Sequence, residues 1–366
     1  MNEKAKRLMS LDSLRGFDML WIIGGERVIH AWAKSTDNTA VHSLAEQFHH
    51  VPWDGFRFYD LIFPLFIFMA GMSMPYAISS KLEKGEDKNV LFRRLVKRLI
   101  LLLVLGLIYN GFLQFQGNQR YTGVLARIGI STFIAATIVL YCGIHRQLYI
   151  LIGILLAYWF SMKFFAAPGF TAGDLSIYGN FASFTDSNLL PGRLHKGIHD
   201  PEGLLTNIPA AATALLGVMS GHIIRSQKNE IYKFKIIFSL GLILLTLGWL
   251  WNTVLPVNKN LWTPSFVLVT AGWSNILFAV FYLIIDVKQY RKWSLPFQWI
   301  GVNSILIYML ASGKIVDFNA ISEYFFLGTA RWLSEDFSLI IIAIMTIGIE
   351  LLLLNFLYRK NTFLKV

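Results

Sequence analysis

The stretch FHHVPWDGFRFYDLIFP gathers groups that can move protons, because His50, Trp53, Asp54, Tyr59 and Asp60 stand directly before a long apolar run. An imidazole titrates near neutrality and adjacent carboxylates tune it, so a histidine beside two acids suits general base chemistry. Four of the eight histidines, His30, His42, His49 and His50, belong to the end of the first apolar segment and the loop that follows it. A metal site built from His42, His49, His50 and an acid is the competing reading. The neighbours His49 and His50 point in different directions on any regular backbone, however, and the His195/His199 pair has a glycine between its members.

Ionisable residues inside apolar segments are costly and therefore mark candidate sites. The first such segment carries Asp12, Arg15, Asp18, Glu26 and Arg27. At ~100° per residue Asp12, Arg15 and Glu26 fall within about a 60° arc of one helix face. Asp12 and Arg15 also make an i,i+3 pair able to cap a helix at the interface, and Glu26, beside Gly24–Gly25, can snorkel to water. Arg127 lies a few residues inside another segment. Asn207, Asn303 and Ser304 suit bonding across helices, while Pro64 and Pro209 free backbone carbonyls. Asp200-Pro201-Glu202 reads as an N-cap, a proline at N1 and an acid, opening the helix that follows.

The elements that must position these groups are membrane-like. Of 366 residues 55% are apolar, 15% aromatic and only 15% charged, with a mean hydropathy of +0.52. That is more apolar surface than soluble cores bury, so lipid must take the remainder. The single cysteine, Cys142, excludes an intrachain disulfide and a cysteine-based metal site. The basic start MNEKAKRLMS leads into no clean signal-peptide core, so the first apolar segment is expected to be retained.

Segments long enough to span hydrocarbon number about ten: 11–33, 58–79, 95–115, 123–143, 147–165, 203–224, 234–251, 263–285, 295–312 and 337–358. Cations collect on one side of them: Lys4, Lys6 and Arg7, the 81–98 run with Arg94 and Arg98, Arg146, the 225–235 and 288–292 groups, Arg359, Lys360 and Lys365. By the positive-inside rule both termini face the cytoplasm. The net charge of +11 is then topology and not a nucleic-acid footprint. The fold expected is an all-α integral membrane protein, a polytopic bundle of about ten helices forming one domain over 1–366. Its outer-face loops 34–57 and 166–202 lie near the site, and the second, rich in Gly, Asp, Ser and Asn, can cap it.

Six stretches resemble the heparan-α-glucosaminide N-acetyltransferase family and its bacterial relatives: SLDSLRG, HVPWDGFRFYDLIFPLFIFMAG, GVLARIG, DPEGLLTNIPAAATALLGVMSG, WTPSFVLVTAGW and GVNSILIY. They are dispersed over most of the chain in the family's order. The resemblance implies acetyl transfer from cytoplasmic acetyl-CoA, without a metal, to the amino group of a glucosamine-type sugar on the far side of the bilayer. The His of its H-x-x-W-[ND]-G motif falls on His50, which the charge bias had already placed outside. His50 would deprotonate the acceptor or carry the acetyl group as an acyl-imidazole.

Asp60 would then orient the imidazole, unless it is only an acid at a helix start beside the positive dipole end. Glu26 stands where the family commonly has Asn or Asp. It joins His50 and Asp60 as a catalytic candidate. Trp53, Asp54, Asp200, Glu202 and Asn303 would contact the acceptor, Asn303 as an oxyanion donor. Arg15, Arg94, Arg98 and Arg127 would serve acetyl-CoA, although positive-inside bias alone explains the 93–98 cluster. The resemblance further implies a bacterial inner membrane, His50 on the periplasmic side, and a homodimer. An O-acyltransferase of a surface glycan and a secondary transporter are the alternatives.

Overall fold

A computed structural model describes residues 8–114, 117–313, 315–330, 332 and 334–364. Lys4, Lys6, Arg7 and Lys365 of the basic ends lie outside the described residues. The described chain is helical, its β pairing limited to isolated bridges of Asp54 with Asn258, Arg120 with Gly192 and Ala166 with Asn180. The first apolar segment folds as α1 (Met9–Leu20) and α2 (Glu26–Lys34), joined by a π-turn over Trp21–Gly25 in which Gly24 takes φ 153°. Such a φ is open to glycine and strained for other residues. The loop beyond holds α3 (Thr39–Glu46), capped by Asn38, whose side chain accepts the Ala40 N–H.

Next come α4 (Phe58–Met74), which continues through a π-turn into α5 (Ser80–Glu83), α6 (Lys88–Tyr109), α7 (Val124–Tyr141) and α8 (Ile144–Phe164). A short α9 (Phe181–Leu189) lies within the long loop. It is followed by α10 (Asn207–Arg225), α11 (Glu230–Trp251), α12 (Pro264–Tyr282), α13 (Leu295–Val302), α14 (Ser304–Leu310), α15 (Phe318–Ala330) and α16 (Glu335–Arg359).

Among the described residues seven helical stretches are long and apolar enough to cross a membrane: Phe58–Glu83, Val124–Tyr141, Ile144–Phe164, Asn207–Arg225, Glu230–Trp251, Pro264–Val287 and Asp336–Arg359. They coincide with seven of the segments read from sequence. The other three depart for identifiable reasons. α1 and α2 carry the five ionisable residues, α6 opens with Arg93, Arg94, Lys97 and Arg98, and 295–312 is cut at Asn303, whose φ −121°, ψ 27° separates α13 from α14.

The chain forms two compact units, one of Met1–Val51, Arg57–Ile62 and Leu277–Val366, the other of Pro52–Phe56 and Phe63–Ile276. In the first, α1 packs on α13 backbone to backbone: a Cβ on Gly16 would overlap the Phe297 carbonyl, and one on Gly301 the Asp12 carbonyl. α2 lies against α3 and α16. In the second unit Gly217 and Gly221 of α10 press on the carbonyls of Phe68 and Met72, while Gly71 of α4 presses on that of Ala214. Small residues at four-residue spacing are how helices approach where lipid supplies no hydrophobic drive to pair them.

Gly217→Leu should therefore force side-chain atoms into a backbone carbonyl and lower stability by about 1–3 kcal/mol or more. The thermal midpoint in detergent reads this. Gly153→Leu, on α8 where nothing lies within 4 Å of the added Cβ, is the control expected to leave the midpoint unchanged.

Candidate functional site

In the first unit the polar centre is Asp60, in the first turn of α4 and 0% exposed. Its Oδ1 lies 2.8 Å from His50 Nδ1, and its Oδ2 accepts the backbone N–H of Arg57 at 3.2 Å and of Val51 at 3.4 Å. An ionised carboxylate only accepts, so the His50 proton resides on Nδ1 and Nε2 is the basic nitrogen. Arg57 donates to the His50 carbonyl at 3.2 Å and pairs with Glu46, fixing the backbone on both sides of the imidazole. The His50 side chain remains 52% exposed. Tyr59 lays its ring on the imidazole, centroids 4.8 Å apart, and its hydroxyl hydrogen-bonds Glu26. His50, Asp60 and Glu26 are thus brought together around Tyr59, a residue to which sequence reading gave no role of its own.

Beside this centre the rings of His30 and His49 stack at 4.3 Å and, with Lys34, His42 and Glu46, line an open pocket of about 470 Å³. Among the described residues no group of three or more His, Cys, Asp or Glu is placed to hold a metal ion. Arg15 pairs with Asp12 at 3.7 Å. The expected stripe of Asp12, Arg15 and Glu26 does not form as read, because it assumed one uninterrupted helix and the π-turn shifts Glu26 out of that register. Asn303 is buried. Its Nδ2 donates to the Thr362 carbonyl at 3.1 Å and its Oδ1 accepts the Leu364 N–H at 3.1 Å, so both ends of the amide bind the segment after α16.

In the second unit Trp53 donates from Nε1 to the Leu175 carbonyl at 2.9 Å and sets its ring edge-on to His199, while Asp54 accepts from Asn258 Nδ2 at 3.0 Å. Asp200 and Glu202 converge on Arg120. Asp200 takes Arg120 Nε and Nη2 at 2.8 and 2.7 Å, Thr122 Oγ1 at 2.6 Å, and the backbone N–H groups of His195 and Glu202 at 3.0 Å each. Glu202 accepts a second bond from Nη2 at 2.5 Å. This corrects the N-cap reading of Asp200-Pro201-Glu202: these residues form a turn, and α10 begins only at Asn207 after Thr206. The physical reason is that five donors occupy the Asp200 carboxylate, which closes the turn and is not available to a helix end.

Arg127, at the start of α7, is buried. It donates to Thr206, lies 4.6 Å from the Trp262 ring centroid, and its Nε has no hydrogen-bond partner among the described residues. Arg94, half-exposed, pairs with Glu86, and Arg98 lies against Gly129 and Thr132 of α7. Arg15 belongs to the other unit, so the four cations assigned to acetyl-CoA do not share one compact unit.

Burial opposes the charge on Asp200, but the Arg120 guanidinium and Thr122 hydroxyl outweigh it and hold the carboxyl at about 2. Arg120 also loses by burial and gains more from its acids, ending above its ordinary value. Asp186 of α9 has a weaker donor set, the Leu204 N–H at 2.8 Å on Oδ1 with Oδ2 unpartnered among the described residues. Burial accordingly lifts it to about 7. His199, packed between Trp53 and Ser183, is held down to about 4 by burial and the nearby Lys196. Arg120, Asp186 and the Ser183–His199 pair escaped sequence reading. The one available signal was Arg120, a cation in a short loop between two apolar segments, apart from the basic clusters of the sequence.

Residues 7–250 match the sequence model of the family described as heparan-alpha-glucosaminide N-acetyltransferase, catalytic. The chain is similar to the heparan-alpha-glucosaminide N-acetyltransferase of Homo sapiens, 28% identical over 368 aligned residues covering 83% of this chain and 52% of that protein. It is likewise similar to that of Mus musculus, 29% identical over 322 residues, covering 72% of this chain and 48% of the relative. The chain thus spans about half the length of the curated relatives it matches.

The buried carboxyl of Asp186 carries a pH dependence of stated sign. The folded Asp186 value of about 7 lies above its ordinary 3.8. Its contribution to stability is therefore fully present below about pH 4 and lost as pH rises through about 7. Asp186→Asn should leave the melting midpoint near wild type below about pH 4 and raise it progressively relative to wild type from there to about pH 8. A difference that does not change with pH contradicts the assignment.

Proposed function

The chain belongs to the heparan-alpha-glucosaminide N-acetyltransferase catalytic family, and from that premise we propose that it is a transmembrane acetyltransferase. It moves an acetyl group from cytoplasmic acetyl-CoA to the amino group of a glucosamine-type sugar on the opposite face, as a single membrane domain of about ten spans with both termini inside. The membrane is the bacterial inner membrane and His50 faces the periplasm. The observation that carries this reading is the His50–Asp60 pair, a half-exposed imidazole whose Nδ1 is held 2.8 Å from a wholly buried carboxylate.

The chemistry follows from that geometry. The amine nitrogen attacks the thioester carbonyl, forming the C–N bond and breaking C–S, while Nε2 takes the proton that nitrogen loses and the thiolate recovers one as CoA-SH. Alternatively Nε2 attacks first and the acyl-imidazole is aminolysed. In both routes Asp60, itself wholly buried, keeps the proton on Nδ1 and offsets the imidazolium charge. Trp53 and Asp54 contact the sugar. Asp200 and Glu202, tied to Arg120, shape the outer segment that meets it, and Arg94, Arg98, Arg127 and Arg15 serve the phosphates and arm of the donor.

His50→Ala should abolish transfer from labelled acetyl-CoA to an amino sugar in purified, detergent-solubilised protein while donor binding persists. More than a few per cent of wild-type turnover would refute the role. Asp60→Asn should lower kcat by roughly 10²–10⁴-fold with KM for acetyl-CoA little changed, since the base loses its tautomer and not its site.

A further inference from the structure

Asp18 of α1 is wholly buried, and neither of its carboxylate oxygens has a hydrogen-bond partner among the described residues. It lies within electrostatic range of Tyr59, whose hydroxyl bonds Glu26 and which also senses Arg27. Glu350 of α16, 1% exposed, reaches the same group through Arg27, and its Oε2 likewise has no partner. Arg27 is the cation that both Glu350 and Tyr59 sense. Buried charge left uncompensated is too costly to persist, so a buried carboxyl without partners is either neutral or met by a cation.

The π-turn explains how acids eight residues apart serve one centre. In a continuous helix Asp18 and Glu26 would diverge by about 80°. Over Trp21–Gly25 the turn takes up one extra residue, which returns the pair to near seven-residue spacing, within ~20° of a common face.

We propose that Asp18, Glu26 and Tyr59 form a seat for a primary ammonium group, that of the sugar acceptor. This rests on the amino-acceptor reading above. An ammonium presents N–H donors only, and the seat presents acceptors: the two Asp18 oxygens, the Glu26 carboxylate and the phenolic oxygen of Tyr59. The Tyr59 ring lies against His50, so a cation held at the hydroxyl end is adjacent to the base. The acceptor thus binds as a cation and reacts as a neutral amine. One N–H bond breaks, the proton passes to His50 Nε2 and from that half-exposed ring to water, and the nitrogen, its charge gone, is released by the carboxylates with its lone pair available to the acetyl carbon. The second N–H proton, lost as the C–N bond forms, goes to the freed Nε2 and on to the departing thiolate.

The test uses the full chain in detergent without acetyl-CoA, so that binding is read apart from transfer. Labelled glucosamine and glucose, which differ as ammonium and hydroxyl at one carbon, are compared by equilibrium dialysis. Wild type should prefer glucosamine by about ten-fold or more. Asp18→Asn and Glu26→Gln should each bring the preference to within about two-fold of unity, with Tyr59→Phe between. Retained acetyl-CoA binding certifies folded protein, and if Asp18→Asn does not fold, the partly exposed Glu26→Gln carries the test.

Equal binding of the two sugars by wild type, or a preference kept in Glu26→Gln, overturns the seat. So does displacement of glucosamine by equimolar sodium, which would assign it to an inorganic cation. An infrared carboxylic-acid band that Asp18→Asn removes and saturating glucosamine leaves unchanged also overturns it, since Asp18 would then hold a proton. Transfer measured on the same preparations separates the two readings. Preference without transfer upholds the seat and sinks the acetyltransferase assignment, and transfer without preference does the reverse.

Discussion

A carboxylate kept from water must receive its hydrogen-bond donors from the chain, and the polar architecture here is arranged by how completely that need is met. Asp200 has five donors and falls well below its ordinary value, while Asp186, with the Leu204 N–H and an unpartnered oxygen, is raised. Asp60 receives the imidazole of His50 and two backbone N–H groups. The first and third of these sew chain together: Asp200 joins 120–122 to 195–202, and Asp60 joins 50–51 and 57 to the start of α4. Fixing the His50 imidazole and fixing a loop are here the same physical act, performed by a buried acid.

Elsewhere in each unit the helices touch backbone to backbone. Gly16 and Gly301 bring α1 and α13 together in one unit; Gly71, Gly217 and Gly221 do so for α4 and α10 in the other. With no side chain between them, the helix axes are set by main-chain atoms, which do not change rotamer. Polar side chains projecting from helices fixed in this way are held to a narrower geometry than loops allow.

The helical class and seven of the long apolar stretches were legible because length and hydropathy are local properties. Asp60 was legible as the partner of His50 because both lie within eleven residues of sequence. What escaped reading required knowledge that a single helical period does not contain. The π-turn at Trp21–Gly25 altered the face on which Glu26 falls, the break at Asn303 divided a segment read as continuous, and Arg120 meets Asp200 across 80 residues. The DPE turn misled for the opposite reason: it carries the local signature of a helix start, and a distant arginine overrides it.

The π-turn in the first helix also makes chain length a chemical variable. Residues before it are read by α13 and residues after it by α3 and α16, so the turn works as a slip joint between two independently seated halves. Loss of one residue between Trp21 and Gly25 would let the turn relax into regular helix with Asp18 and Glu26 still within ~20° of a common face, whereas an unbroken helix of unchanged length would part them by ~80°. Within this stretch the extra residue and the π geometry offset each other, so losing the turn while keeping the residue is a change of electrostatics as much as a change of shape, and its effect would appear at Tyr59 and His50, which lie outside the stretch.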